Sequence, residues 1–253
     1  MISAFRAWLV VATLPAVVSP VGCSRGAETQ HPRPSASPLA APGEAAAVEP
    51  SAGGAEVEPT AEGVASAKLD DRPVILFLGT SLSAGLGLDP SEAYPTLVQQ
   101  KIDASGLRYR VVNAGVSGET SAGALRRLDW LLRQPVAVLV VETGANDGLR
   151  GQDPDATRVS IQAILDEARR HDPPPRLVLA AMEAPPNYGE AYRRRFRAIY
   201  PELAKASGAT LVPFLLEGVA GDPALNQPDG IHPTAEGHAR VAENVWKALR
   251  PVL

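Results

Sequence analysis

Three residues of this 253-residue chain have the types and the spacing that nucleophilic catalysis requires. Ser81 follows an apolar run, and Asp229 lies three positions before His232. A serine hydroxyl becomes a nucleophile when a base takes its proton, and the base needs an acceptor that orients it. Within one loop, Asp229 could hold the Nδ1–H of His232 and leave Nε2 free for the Ser81 proton. The three residues therefore predict acyl transfer through a serine nucleophile.

Each of these residues also has a simpler interpretation. Serine is common in turns, a loop histidine is more often structural than catalytic, and Asp229 could cap a turn or the following helix. His238 lies six positions after His232 and could suggest a metal site, but we expect it on the last helix, facing solvent or capping that helix. Because no convincing ligand set accompanies the two histidines, we predict no metal and no cofactor.

The composition narrows the possible classes of protein. The chain is 45% hydrophobic and 21% charged, which is enough apolar content for a sizeable core, and its formal net charge is −4. That charge argues against a nucleic-acid partner, because such binding needs a basic surface. The single cysteine excludes an intramolecular disulfide framework and a cysteine-rich zinc site. No protein partner is inferred.

The first 23 residues have the pattern of an export signal. Arg6 precedes an apolar run over 7–18 that is too short to span a bilayer comfortably. The run ends near Val21-Gly22-Cys23, which resembles the lipobox of bacterial lipoproteins, although Pro20 stands where leucine is usual. An ordinary signal peptide with a nearby cysteine is the alternative. We expect export to the periplasm or cell envelope and a membrane anchor through lipidated Cys23.

Residues 24–71 are rich in Ala, Pro, Glu, Gly and Ser and contain no aromatic residue. A segment of this composition buries too little apolar surface to offset the entropy lost on ordering. We therefore predict a disordered tether over 24–71 and a folded domain over 72–253.

The pattern from residue 72 onward alternates between strands and helices. Continuous apolar runs predict buried strands over 74–78, 109–112, 136–141, 177–181 and 210–212. Amphipathic stretches predict helices over 93–104, 121–133, 155–170, 190–207 and 234–249. This alternation predicts an α/β class: a single three-layer α/β/α, flavodoxin-like domain with a central parallel sheet of about five strands.

Such a sheet places function at the carboxyl ends of its strands. The segments expected there are 79–82, 113–118, 143–148 and 229–233, and they contain the three residues named first. Small residues and groups able to do chemistry therefore converge on one edge of the sheet.

These segments resemble the four signature blocks of the SGNH hydrolases, also called GDSL lipases/esterases. Gly79-Thr80-Ser81-Leu82 matches the first block except that Thr80 stands where Asp is usual. Gly115 falls in the second block, Gly144-Ala145-Asn146-Asp147 fits the third, and Asp229-Gly230-Ile231-His232 fits the last. The likeness covers about 73–253. Further segments are similar to the bacterial exported acyl thioesterase/arylesterase/lysophospholipase subgroup: 118–121, 144–149, 185–189 and 212–223.

The resemblance implies a role for each position. Ser81 is the nucleophile, His232 the general base and then acid, and Asp229 its orienting partner. The oxyanion hole is implied to consist of the Ser81 and Gly115 backbone N–H groups and the Asn146 side-chain amide. The simpler interpretations are a turn glycine for Gly115 and a helix cap for Asn146.

The expected function is therefore that of a cofactor-independent serine esterase or thioesterase. It would hydrolyse carboxylic esters of aryl, acyl or lysophospholipid type, presented by a small molecule or a lipid. One alternative is an O-acetyl esterase of cell-envelope polysaccharides, and another is a catalytically silent, tethered binding lipoprotein. The residues expected to bind substrate are Leu86, Leu88, Met182, Pro185 and Tyr188.

Overall fold

The computed structural model describes residues 70–253, which contain a five-stranded sheet. Its strands are β1 (Val74–Gly79), β2 (Arg110–Gly115), β3 (Val138–Val141), β4 (Arg176–Ala180) and β5 (Thr210–Val212). They are ordered β2-β1-β3-β4-β5, and every neighbouring pair is parallel. The predicted parallel sheet of about five strands is confirmed.

Helices connect the strands and cover both faces of the sheet. In this part of the chain they are α1 (Ser81–Ala84), α2 (Tyr94–Ala104), α3 (Ser121–Leu131), α4 (Ala145–Leu149), α5 (Pro154–Arg169), α6 (Gly189–Ser207) and α7 (Ala235–Leu249). Helices α2 and α7 pack together on one face, and α3, α5 and α6 pack on the other. Short 3₁₀ turns lie at Pro186–Tyr188 and Arg250–Val252. The predicted three-layer α/β/α arrangement is confirmed.

The core follows from the apolar strands. Every residue of β1 and β3 is buried, which requires helices on both sides of the sheet. The edge strand β2 is only half-buried. Part of its open edge is covered by Gln99, whose side chain accepts the Val111 N–H at 2.6 Å and donates to the Tyr109 carbonyl at 3.1 Å.

The structure differs from the predicted elements at a few points. Strand β2 continues to Gly115, so residues 113–115 belong to the ladder opposite β1 rather than to a loop. Helices α1 and α4 were not predicted, because four or five residues are too few to show helical periodicity. Both begin at or just after the end of a strand and carry predicted site residues.

Residues 70 and 253 lie near the amino-terminal edge of the sheet. Arg72 donates to the carbonyl of Tyr109, which immediately precedes β2, at 3.3 Å. The Tyr109 hydroxyl donates to the carbonyl of Leu253 at 2.9 Å. Both described ends of the chain therefore meet at the edge opposite the carboxyl ends of the strands.

Some predictions lie outside the described residues. These are the signal peptide over 1–23, the lipidated Cys23 and all but the last two residues of the tether over 24–71. Within residues 70–253, no helix is both long enough and apolar enough to cross a membrane.

Candidate active site

Ser81, His232 and Asp229 form one hydrogen-bonded chain. Ser81 is the first residue of α1, directly beyond the end of β1. The Nε2 atom of His232 is 2.9 Å from Ser81 Oγ, and its Nδ1 atom is 2.6 Å from Asp229 Oδ2. The predicted three residues are thus brought together, with the imidazole between the hydroxyl and the carboxylate.

Asp229 is fixed in its ionised form. The ring N–H of His232 donates to it, and the backbone N–H groups of Ile231 and His232 donate to its other oxygen at 2.9 and 3.0 Å. These hydrogen bonds, led by the one from the His232 side chain, lower the pKa of Asp229 to about 2. The carboxylate therefore remains an acceptor at neutral pH and sets the orientation of the imidazole.

Gln227 links the loop that contains His232, which we call the histidine loop, to the turn that contains Ser81. Its backbone N–H donates to the His232 carbonyl at 2.7 Å. Its side-chain amide donates to the carbonyl of Leu86, which follows α1, at 2.8 Å, and to that of Pro233 at 2.9 Å. Sequence reasoning missed this residue, because nothing in its local pattern shows which distant carbonyl its side chain meets.

A buried carboxyl group lies beneath the Ser81 turn. Glu142 directly follows β3 and accepts hydrogen bonds from the Thr80 N–H at 2.8 Å, the Thr80 hydroxyl at 2.9 Å and the Ser83 hydroxyl at 2.8 Å. Ser83 also shares a 2.6 Å hydrogen bond with Tyr94. The side chains of Glu142 and of its neighbours Thr80, Ser83 and Tyr94 are all buried. Burial raises the pKa of Glu142 to about 7. Thr80 therefore places a donor against Glu142, where an aspartate would place a second carboxyl group.

His238 lies on the last helix, α7, as the sequence predicted, but its side chain is buried instead of facing solvent or capping the helix. It is 1% exposed, and its Nδ1 atom accepts the backbone N–H of Tyr94 at 3.1 Å. The ring also stacks on Tyr94, and burial lowers the pKa of His238 to about 4. The expectation of a solvent-facing or capping histidine was wrong, because α7 packs this position against α2. Within residues 70–253, no cluster of three or more His, Cys, Asp or Glu side chains could hold a metal ion.

Two of the predicted oxyanion donors have an N–H group that forms no other hydrogen bond among the described residues. The backbone N–H of Ser81 is in the first turn of α1, where no intrahelical acceptor exists. One N–H of the Asn146 side chain donates to the Glu119 carbonyl at 3.0 Å, which leaves its second N–H. Asn146 lies in α4 and, like Ser81, at the carboxyl edge of the sheet.

The third predicted donor, Gly115, is already occupied. Its N–H donates to the Asn113 side chain at 3.0 Å. A Cβ at Gly115 would lie 2.4 Å from the backbone nitrogen of Ala84, so glycine is needed here for close packing of β2 against α1. Gly115 therefore has a packing role, and its N–H could serve a substrate only if Asn113 released it.

Gly118 is a residue that the predicted donor set omitted. Its φ of 76° lies in the left-handed region, and its N–H meets no acceptor among the described residues. Glu119, the next residue, receives the hydrogen bond from Asn146, and Arg150 donates to the Gly118 carbonyl at 2.8 Å. The sequence signal that could have identified Gly118 as a donor is its place in the turn just before α3, whose first turn is capped by Thr120.

Two side chains hold the 118–121 turn against the strand ends. Asp147 is buried and accepts the backbone N–H and hydroxyl of Ser121 at 2.9 and 2.6 Å. Arg127 forms a paired hydrogen bond with Glu119 at 2.7–2.9 Å and donates to the Gly79 carbonyl at 3.2 Å. The turn that contains Gly118 is thus joined to the segments that carry Asn146 and Ser81.

The predicted substrate-binding residues do not all face solvent. Leu86 and Tyr188 are 44% and 37% exposed, and Leu88 and Pro185 are half-buried, on the segments that follow α1 and β4. Met182 is 3% exposed and belongs to the core. The structure therefore corrects the prediction for Met182, which offers no surface to a substrate.

Comparisons with known proteins identify the family and the fold. A family model described as GDSL-like Lipase/Acylhydrolase family matches residues 77–240. The chain is 42% identical over 180 residues to esterase TesA of Pseudomonas aeruginosa, covering 71% of this chain and 89% of the relative. It is 41% identical over 181 residues to thioesterase 1/protease 1/lysophospholipase L1 of Escherichia coli, covering 71% and 84%. A crystal structure of TesA superposes with a TM-score of 0.68 at 42% identity, covering 71% of this chain and 99% of that one.

We expect Glu142→Gln to change how stability depends on pH. Because the folded state raises the Glu142 pKa from 4.5 to about 7, the folded protein holds this proton more tightly than the unfolded chain does. The stabilisation from this proton is present below about pH 4.5 and is lost as the pH rises through about 7. Between about pH 5 and 8, the free energy of unfolding of the wild type should therefore fall relative to that of the variant, by about 1.4 kcal/mol per unit of pKa shift.

Urea denaturation across this pH range measures the difference. Glu236→Gln, which alters an exposed carboxyl group on α7, is the control. Parallel curves for the wild type and Glu142→Gln would contradict the expectation.

Proposed function

Since this chain belongs to the GDSL-like lipase/acylhydrolase family, we propose that it is a serine hydrolase that cleaves carboxylic esters and thioesters through an acyl-enzyme. The observation that carries the proposal is the hydrogen-bonded chain from Asp229 through His232 to Ser81 at 2.6 and 2.9 Å. That spacing lets the imidazole take the serine proton directly.

The reaction proceeds in two steps, acylation of Ser81 and hydrolysis of the acyl-enzyme. Ser81 Oγ attacks the carbonyl carbon while His232 Nε2 takes the hydroxyl proton, and the carbonyl oxygen becomes an oxyanion. When the intermediate collapses, His232 gives that proton to the departing alcohol or thiol, and the acyl group remains on Ser81. His232 then takes a proton from water, the resulting hydroxide attacks the acyl carbon, and Ser81 recovers the proton as the acid leaves. Asp229 stays ionised throughout and stabilises the imidazolium.

The oxyanion would be bound by three N–H donors. We assign two of them to the Ser81 backbone and the Asn146 side chain, as the family resemblance implies. The third is assigned to the Gly118 backbone in preference to Gly115. The Gly115 N–H donates to the Asn113 side chain, whereas the Gly118 N–H has no acceptor among residues 70–253. Donors fixed in advance stabilise the developing charge, and loss of one typically lowers turnover by ~10²–10³-fold.

The substrate class follows from the relatives and the surroundings of Ser81. Two relatives carry the names esterase and thioesterase 1/protease 1/lysophospholipase L1, which favour acyl and lysophospholipid-type esters and thioesters. Another, from Vibrio mimicus, carries the name arylesterase, which favours aryl esters. Large apolar side chains are exposed on the segments beyond the strand ends, where an acyl chain could contact them: Leu86, Leu149, Tyr188 and Ile231.

We further propose that the protein is exported and anchored through Cys23. The support is the apolar run over 7–18 that ends near the chain's single cysteine, followed by a segment with the composition of a flexible linker. Two acyl chains on one cysteine would provide stable membrane attachment.

A fluorophosphonate probe should label the wild type and fail to label Ser81→Ala, because the probe captures only a serine activated by a base. Fluorescence of the labelled band after electrophoresis measures this. Ser160→Ala is the control, since Ser160 lies on α5 and its hydroxyl donates to the Ala156 carbonyl of the same helix. Equal labelling of the wild type and Ser81→Ala would overturn the role of the nucleophile.

A chain-length series of p-nitrophenyl esters should give higher kcat/KM for medium and long acyl chains than for acetate. Each methylene buried against apolar side chains contributes up to about 0.8 kcal/mol. A strict preference for acetate would favour the O-acetyl esterase instead. No hydrolysis of any ester by the folded protein would favour the silent binding lipoprotein.

Metabolic labelling with palmitate should mark the wild type and not Cys23→Ser, because no other thiol is available for acylation. Release of the variant into the soluble fraction should accompany the loss of label. Labelling of both proteins, or of neither, would contradict the anchor.

A further inference from the structure

Four aromatic side chains form a continuous column on α6 and the residue before it. Tyr188, Tyr192, Phe196 and Tyr200 are spaced four residues apart, which places them on one face of a helix. Their successive ring centroids are 5.1, 6.1 and 5.9 Å apart. The outer end, Tyr188, is partly exposed at the carboxyl edge of the sheet, and the inner two rings are fully buried.

The column is bonded to the segment over 143–152, which follows β3 and contains Asn146. Each of its three hydroxyl groups donates to a different backbone carbonyl of that segment. The pairs are Tyr200 to Thr143 at 3.0 Å, Tyr188 to Leu149 at 2.9 Å and Tyr192 to Gln152 at 2.7 Å. The hydrogen bonds therefore hold the segment on both sides of Asn146.

Three glycines in the segment make this close approach possible. A Cβ at Gly144 would lie 2.3 Å from the Tyr200 hydroxyl oxygen. A Cβ at Gly148 would lie 3.1 Å from Phe196 Cζ, and one at Gly151 would lie 2.5 Å from Tyr188 Cε1. At spacings of four and three residues, the glycines present a surface without side chains to the aromatic rings.

The segment has little means of fixing its own conformation. Helix α4 has five residues, and none of the side chains that the structure describes caps its first turn. An isolated helix of this length is unstable in water, so its position depends on tertiary contacts. The column supplies these contacts on one side of the segment, while Asp147 and Asn146 bond to the 119–121 turn on the other. Asn146 lies in the first turn of α4.

We propose that Tyr192, Phe196 and Tyr200 are positioning residues that hold the Asn146 amide where the oxyanion develops. The proposal rests on the oxyanion role given to Asn146 in the proposed function. A positioning role differs from ordinary core packing in what it predicts. Packing alone would affect stability and leave the turnover of the folded enzyme unchanged.

A double-mutant cycle between Tyr200 and Asn146 tests this role in the full-length protein. Tyr200→Phe keeps the ring and removes only the hydroxyl that bonds to Thr143. We expect kcat on a p-nitrophenyl ester to fall roughly 10-fold with KM unchanged within about twofold, since small misplacements of catalytic groups cost up to ~10²-fold. Asn146→Ala should lower kcat by ~10²–10³-fold, and adding Tyr200→Phe to it should lower kcat no further.

Gly148→Ala provides a second variant that does not depend on a buried hydroxyl. Alanine is favoured over glycine inside a helix by roughly 0.5–1 kcal/mol, but here its Cβ would press on the Phe196 ring. We expect a lowered kcat without a matching loss in Tm. Tyr109→Phe is the control, because its hydroxyl bonds to Leu253 at the opposite edge of the sheet, and its kcat should equal that of the wild type.

The outcomes separate this proposal from the proposed function. If Tyr200→Phe and Gly148→Ala keep the wild-type kcat while Asn146→Ala lowers it strongly, the positioning role of the column is overturned and the oxyanion role of Asn146 stands. Effects of Tyr200→Phe and Asn146→Ala that multiply in the double variant also overturn it, because the column would then not act through Asn146. Wild-type kcat in Asn146→Ala overturns the oxyanion assignment itself.

Discussion

The buried carboxyl group of Glu142 joins the adjacent strands β1 and β3 where both of them end. It follows β3, and it accepts three hydrogen bonds from the turn that β1 enters. A carboxylate without water is costly unless donors surround it, so the turn must keep these donors in place. Because Ser81 lies between the two donor residues, Thr80 and Ser83, its position is determined by the same contacts. The other parts of the site are arranged around this fixed point.

The remaining site segments are held in a similar way, by polar side chains that reach across from a neighbouring element. Asp147 holds the start of α3, Arg127 joins Glu119 to the end of β1, and Gln227 joins the histidine loop to the residues after α1. Each short segment would be poorly ordered by itself, because it contributes few apolar contacts. Networks of satisfied hydrogen bonds select a single arrangement, and precise placement of charge and donors is what acyl transfer requires.

The sequence predicted the architecture well because the architecture depends on local patterns. Continuous apolar runs alternating with amphipathic stretches require a parallel sheet between helices, and the family resemblance carried by the four loops is confirmed by the comparisons. The same reasoning brought Ser81, Asp229 and His232 to one edge. It did not find Glu142 or Gln227, since the partners of these side chains are distant in the chain. It misplaced His238 because a buried histidine that accepts a backbone N–H has the same local pattern as an exposed one.

The meeting of both described chain ends at the amino edge of the sheet has a practical consequence. Tyr109 touches Arg72 and Leu253 there, and the carboxyl edge with Ser81 is on the other side. A label, a fusion partner or a solid support attached near residue 70 or residue 253 would lie at the amino-terminal edge of the sheet, opposite the edge with Ser81. Its reactive face would stay open to solution, so the domain is suited to immobilisation through either of these points.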